Sequence, residues 1–422
     1  MRLDQVLEEA RTRGPQVLTA RASVAVADAD VEKAWTAWKP NVSAAGQLTF
    51  NSTEQSFDFA GFAVPLASAI GFPLSAQQLA SFPPATVIAP HVQLAALLNL
   101  KQTLFNITAV RAPGVAKAAR AASEAAVVAT EEELMFLAAQ LYVTVVGLDT
   151  LAAATDRAIE IAEKRVHDQR AQLEAGSTTQ LAVTRAETDK ASAQAQKLTV
   201  ESQKRTLLAN LAALIGKTTA IEVSKDPIET QVTLEPPANA VDRAKVKARE
   251  AGVIAANAAV GLTSASWLPS LNVEGTLRYS NVSGFGDENF LATASVNLIV
   301  PIYDSGIRYA DTHASEARVA RAQAELDNER VVAQAYLVEA ENKVDSAKAE
   351  LTLSEAQLKL ATEGVAQAES LGGAGLATNL ELADADTRRF QADQLVAQKR
   401  FLLDVARLQL VYARGGKLEP KR

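Results

Sequence analysis

The feature that most constrains this chain is an internal duplication. Ala175-Gly176-Ser177-Thr178-Thr179-Gln180-Leu181, followed by Ala186-Glu187-Thr188, returns as Ala374-Gly375-Leu376-Ala377-Thr378-Asn379-Leu380, followed by Ala385-Asp386-Thr387. Trp38-Lys39-Pro40 answers Trp267-Leu268-Pro269, and Leu104-Phe105-Asn106 answers Ile302-Tyr303-Asp304. Three landmarks in one order mean two copies of one unit. Each copy reads as helix, strand, loop, strand, very long helix, tight turn and return helix. Repeat one covers 1–215, with strands at 41–50 and 91–103, a long helix at 111–175 and a return helix at 178–215. A linker follows at 216–240. Repeat two covers 241–414, with strands at 270–280 and 290–300, a long helix at 307–371 and a return helix at 378–414. Residues 415–422 are a tail.

Period-2 alternation marks the strands. Val42, Ala44, Gly46, Leu48 and Phe50 oppose Asn41, Ser43, Gln47 and Thr49, and the same pattern recurs over 91–103, 270–280 and 290–300. Apolar residues on one side and polar ones on the other over about ten residues suit a membrane barrel strand, and equally a soluble sheet with one wet face. Lys101, Glu274 and Arg278 all fall on the polar side, which a barrel requires and a sheet allows. Four strands cannot close a barrel, since the smallest membrane barrels use eight. A lipid-facing set would therefore need further copies of the chain, two giving eight strands or three giving twelve.

Seven-residue periods mark the helices. Ala138, Val145, Ala152, Ile159, Val166 and Leu173 form one seam, and Leu337, Val344, Leu351, Leu358 and Val365 another, with Ala340, Ala347, Ser354, Ala361 and Ala368 beside it. Such repeats mean supercoiled helices, and alanine on a seam means close packing. Alanine also explains how the chain is 48% hydrophobic yet only 5% aromatic. The long helices should rise roughly 95 Å and the return helices about 55 Å. One long helix thus matches a return helix plus an initial helix (Leu3–Trp38 or Val241–Trp267) laid end to end, with the 216–240 and 415–422 segments as a belt near mid-length. The apolar stretch Leu134–Ala154 is broken by Gln140, Thr144 and Asp149 and reads as a packed helix face rather than a membrane span. No signal peptide is visible at Met1-Arg2-Leu3-Asp4.

Composition limits the chemistry. The formal charge of −7 argues against nucleic-acid binding. The chain has no cysteine, and His91, His167 and His313 are scattered. No catalytic triad spacing or metal-ligand set appears, the Gly372-Gly373-Ala374-Gly375 cluster joins two helices rather than cradling a phosphate, and no cofactor is called for. On the residues alone, a soluble coiled-coil scaffold with a small sheet domain remains an alternative to a membrane channel.

The two-copy layout, the Trp-x-Pro entry to each first strand, the Leu-Phe-Asn and Ile-Tyr-Asp-Ser-Gly exits and the Gly-centred helix turns together resemble the outer-membrane efflux protein family of TolC-like channel tunnels. The resemblance covers essentially the whole chain. It implies a mainly α fold with a β-barrel contribution: a homotrimer with a shared 12-stranded barrel in the outer membrane and an α-helical tunnel through the periplasm. It further implies a passive exit duct for efflux or type I secretion, not an enzyme, docked to a periplasmic adaptor and coupled to an inner-membrane pump or ABC transporter. By the same resemblance, Glu381 and Asp384 would ring the periplasmic constriction, where like-charge crowding would raise some of their pKa values. Read without it, they are solvated charges favoured by a helix N-terminus. The tips Ala175-Gly176-Ser177 and Ala374-Gly375-Leu376 would be the adaptor-docking surface. Asp386 lies near but on another face. The tyrosine, arginine and acidic partner that lock the best-known type closed correspond here to Gly372, Ala377 and Ala182, so that lock is missing. The Phe-rich loop at 51–90 far exceeds its counterpart at 281–289, and either caps the barrel mouth or is a surface insertion.

Overall fold

The computed structural model describes residues 1–82, 84–224, 232–234, 243–282, 288–374, 376–416 and 418–420. Contacts divide the chain into two compact units, and each draws on both sequence repeats. One comprises residues 29–117 and 258–316; the other comprises 1–28, 118–257 and 317–422.

The first unit is built on a four-stranded antiparallel sheet. Its strands are β1 (Asn41–Phe50), β4 (Val92–Asn106), β6 (Ser270–Ser280) and β7 (Phe290–Ile299), in the order β1-β4-β6-β7. Between β1 and β4 lies more than a loop. The short strands β2 (Gln55–Phe57) and β3 (Thr86–Ala89) pair with each other, and the helices α3 (Phe59–Ala69) and α4 (Ala76–Leu79) lie between them. Asp58 caps α3 by accepting from the Ala60 N–H at 3.0 Å, and Phe57 packs edge-on to Phe59. β4 runs three residues beyond the expected 103, past an irregularity between Thr103 and Phe105. Part of the 281–289 turn lies outside the described residues.

The second unit is mainly helical, and four of its helices continue into residues 29–117 and 258–316. In place of one initial helix, the chain forms α1 (Leu3–Arg13) and α2 (Pro15–Thr36). The break follows from Gly14-Pro15: proline suits the first turn of a helix, where its missing N–H costs nothing. Gly14 is also a contact point, since a Cβ there would lie 2.2 Å from Leu134 Cδ2. The long helix α5 (Ile107–Glu174) turns back as α6 (Gln180–Leu214). After α7 (Ala244–Ala265), the long helix α8 (Ile307–Gly373) turns back as α9 (Asn379–Ala413). Leu3, Val6, Leu7 and Ala10 of α1 bury against Leu134, Ala138 and Tyr142 of α5, Leu211 of α6 and Leu408 of α9. α5 is apolar enough over 18 residues to cross a membrane by composition, but half of that window is buried in the protein. Its apolar face is therefore spent on this core. Beside it, the Arg243 guanidinium lies over the rings of Tyr336 and Tyr412 at 5.3 and 4.7 Å. Burial pushes both phenols above their usual pKa. The segments expected as a belt meet through β5 (Val232–Leu234) and β8 (Leu418–Pro420), which pair antiparallel. Most of 216–240 lies outside the described residues.

Candidate functional site

The sheet register sorts side chains into two faces. Directly opposed residues share a face in an antiparallel pair. Val42 opposes Leu100, Leu48 opposes Leu94 and Phe50 opposes Val92. Leu98 opposes Leu277, Val273 opposes Val296, and Leu271 opposes Leu298. These apolar pairs all lie on one face, and it is bare: Phe50 is 74% exposed, Val42 62% and Val296 66%. The opposite face is polar. Asn41 faces Lys101, Lys101 faces Glu274 with an ion pair at 3.2 Å, and Thr276 faces Thr293 with their hydroxyls bonded. Leu97, Leu291 and Ile299 are large apolar exceptions on that side. The expected placement of Lys101, Glu274 and Arg278 holds. Among the described residues β1 and β7 each pair on one side only, which leaves them as the edges of the sheet.

Each repeat passes from strand to long helix through its landmark residues. In the first, Asn106 Oδ1 accepts from the Thr108 N–H at 2.9 Å and caps α5, which starts at Ile107, four residues before the expected Arg111. Pro113 therefore lies inside the helix and cannot donate to the Ala109 carbonyl. The Trp38 indole N–H takes that acceptor instead, at 3.2 Å. In the second, Asp304 Oδ2 accepts from the Arg308 N–H at 3.3 Å and pairs with its Nε at 2.7 Å. Arg308 is 7% exposed and lies 4.6 Å over the Trp267 ring.

The first tip turn is a Schellman cap. Gly176 has φ +68°, its N–H donates to Leu173 O at 3.0 Å, and the Ser177 N–H donates to Gln172 O at 2.8 Å. At the second tip Ala374 and Leu376 flank Gly375, which lies outside the described residues. α9 then starts with a capping box. The Thr378 N–H and hydroxyl donate to Glu381 Oε2 at 2.7 and 2.9 Å, and Glu381 N–H returns a bond to Thr378 Oγ1. These bonds hold the Glu381 carboxyl below the usual carboxylate range, the reverse of the shift that crowding would give. Asp384 pairs with Arg388 at 2.8 Å. Within one chain, then, Glu381 and Asp384 both sit exposed on the first turns of α9, each with a local partner. Asp386, one face away, meets Arg165 of α5.

One regularity was open to sequence reading and missed. Four ion pairs strap α5 to α6: Asp149–Lys204, Asp156–Lys197, Glu163–Lys190 and Arg170–Glu187. Their α5 members recur every seven residues. The bond to Asp156 raises the Lys197 pKa above the ordinary lysine value. The charge period stands in the sequence, but its partners appear only once the hairpin register is known.

The outer membrane efflux protein family model matches residues 6–217 and 240–416. Among curated protein sequences none matches. Several solved structures share the fold. CusC superposes with a TM-score of 0.79 at 17% identity, over 98% of this chain and 92% of that one. A membrane protein from Pseudomonas aeruginosa superposes with a TM-score of 0.79 at 20% identity, covering 98% and 93%. The outer membrane protein VceC from Vibrio cholerae gives 0.74 at 19%, covering 98% and 96%. The two-repeat layout, the sheet and the paired long helices are those of this family, and the chain belongs to the outer membrane efflux proteins.

Proposed function

We propose that this chain is one protomer of a trimeric outer-membrane duct through which cargo leaves the cell, passive in itself and energised by an inner-membrane pump or transporter through a periplasmic adaptor. The observation that supports it most is the bare apolar face of the four-stranded sheet. A water-soluble scaffold would leave Val42, Leu48, Phe50, Val296 and Leu298 in water, each more than half exposed, at a cost of about 25 cal/mol per Å² of apolar surface. In a bilayer that face is solvated by lipid, and the polar face becomes the lumen. The edge strands β1 and β7 then require neighbouring copies, because unpaired strand edges are not tolerated in hydrocarbon. Three copies supply twelve strands.

In this reading the helical hairpins extend into the periplasm, and the tips at Ala175-Gly176-Ser177 and Ala374-Gly375-Leu376 meet the adaptor. Glu381 and Asp384 of three chains gather at the constriction, where carboxylates favour cations over anions. Mass measurement of the purified protein in detergent, with recordings in planar bilayers, tests this reading. Trimers of the 44.7 kDa chain that conduct cations preferentially are expected. A monomer that stays soluble without detergent would refute it. Replacing Glu381 and Asp384 together with alanine should reduce cation selectivity and weaken divalent block, and no change in either would remove their role.

A further inference from the structure

The two hairpins of the helical unit are fastened differently. α5 and α6 carry their ion pairs down to Arg170–Glu187, close to the turn. α8 and α9 are joined by Glu341–Arg414, Glu350–Lys399 and Glu355–Arg400. Beyond Glu355, among the described residues, no ion pair joins α8 to α9. There Leu358 and Thr362 of α8, Arg389, Phe390 and Asp393 of α9 and Ala154, Arg157, Ala158 and Ile161 of α5 together line a cavity of about 330 Å³.

The tip half of α9 is held by the other repeat. Asp393 pairs with Arg157 of α5 at 2.7 Å, and Asp386 pairs with Arg165. The second pair is the better shielded, with its side chains 18% and 19% exposed. Arg165 also reaches the Leu382 carbonyl at 3.4 Å. Further from the tip, Gly147 lets α5 close on α9, because a Cβ there would fall 2.6 Å from Phe401 Cβ and Cγ. A partly buried, charge-assisted pair resists separation more than the exposed pairs elsewhere on these helices.

We infer that Arg165 is a positioning residue: it clasps the tip half of α9 to α5 through Asp386 and so sets where Glu381 and Asp384 stand at the aperture. The charged contacts of the tip half of α9 thus run to the first repeat, while its pairs with α8 lie further from the tip. This rests on the constriction reading above. Motion that widens the aperture must break the clasp or carry α5 along with α9.

Two measurements test it. The chain has no cysteine, so spin labels at Glu160→Cys and Thr387→Cys, diluted with unlabelled chain, report the α5–α9 distance alone. Arg165→Ala should lengthen that distance, and the exchanged pair Arg165→Asp with Asp386→Arg should restore it. An unchanged distance in Arg165→Ala overturns the inference. In bilayers, Arg165→Ala should raise open probability roughly tenfold, the factor that about 1.4 kcal/mol supplies. Arg165→Lys should show only part of that rise, and the exchanged pair little of it. A longer distance with unaltered gating also overturns the inference. Cation selectivity separates the two readings: if the Glu381 and Asp384 variants leave it unchanged, the carboxylate constriction fails, whatever the clasp does.

Discussion

The two strand-to-helix junctions come from equivalent sequence and solve the same problem with different chemistry. Both have a tryptophan before the first strand and a short polar residue after the second. At the first junction Trp38 acts as a hydrogen-bond donor, supplying the N–H that Pro113 withholds from the Ala109 carbonyl. At the second, Trp267 offers its face to the Arg308 guanidinium and lies edge-on to Tyr309 at 4.5 Å. Asn106 caps α5 as a neutral acceptor, while Asp304 caps α8 as one half of an ion pair. Duplication preserved the position of the ring and of the cap, and the partners diverged around them. A landmark shared by two repeats therefore identifies a place in the fold, not an interaction.

The largest expected effect comes from breaking the charged junction. Arg308→Ala strands Asp304 without its partner and removes the cation from Trp267. Because the Arg308 side chain is only 8% exposed, its loss should lower stability more than breaking an ordinary surface pair does. Denaturant unfolding of the assembled protein in detergent measures it. Arg308→Lys should recover less than half, since an ammonium neither stacks nor forks as a guanidinium does. An effect below that of an ordinary surface pair would mean that the two junctions are energetically alike.

The neutral junction gives a smaller and more specific effect. Trp38→Phe keeps the ring but leaves the Ala109 carbonyl without its donor, at a cost of about 1–2 kcal/mol. Pro113→Ala provides a backbone N–H for that same carbonyl, so the double variant should lose less than Trp38→Phe alone. Simple additivity would show that the indole bond and the proline are unrelated.

The smallest effect concerns the other ends of the long helices, where the two return helices again differ. α9 begins with the Thr378–Glu381 box, whereas Thr179 at the start of α6 makes no side-chain cap bond. Because the folded pKa of Glu381 is depressed, its contribution is present above the ordinary glutamate pKa and is lost as pH falls through the lower folded value. Amide exchange should show protection at Thr378 declining with acid, with no matching change at Thr179. Equal responses at the two turns would mean that the box adds nothing.

How much of this was legible depends on whether the cause was local. The alternation in β1, β4, β6 and β7 fixes which side chains share a face, so both faces of the sheet could be read before the pairing was known. Heptad seams and Gly-Thr turns likewise locate both hairpins to within a few residues. The start of α5 is expected four residues late, because the donor that satisfies the Ala109 carbonyl ahead of Pro113 comes from Trp38, 71 residues away in sequence. The helix α3 is hidden for another reason: its run of Phe, Ala, Val and Leu is apolar all round, so no periodicity separates it from a loop. Arg165 could not be picked out among the many charges of α5, because its meaning depends on which face of α9 lies opposite. A place for Glu381 and Asp384 at a constriction came from resemblance alone, and in the single chain each is satisfied by a neighbour within four residues.

Everything above the level of the single chain depends on the sheet's apolar face meeting lipid. Single cysteines placed along β7, from Ala294 to Ile299, and labelled with nitroxide in reconstituted bilayers read this residue by residue. Collision with oxygen, which concentrates in hydrocarbon, should peak at Ala294, Val296 and Leu298. Collision with a water-soluble nickel chelate should peak at Ser295 and Asn297. A profile without period two, or one with chelate access at Val296 and Leu298, would contradict a membrane-embedded sheet.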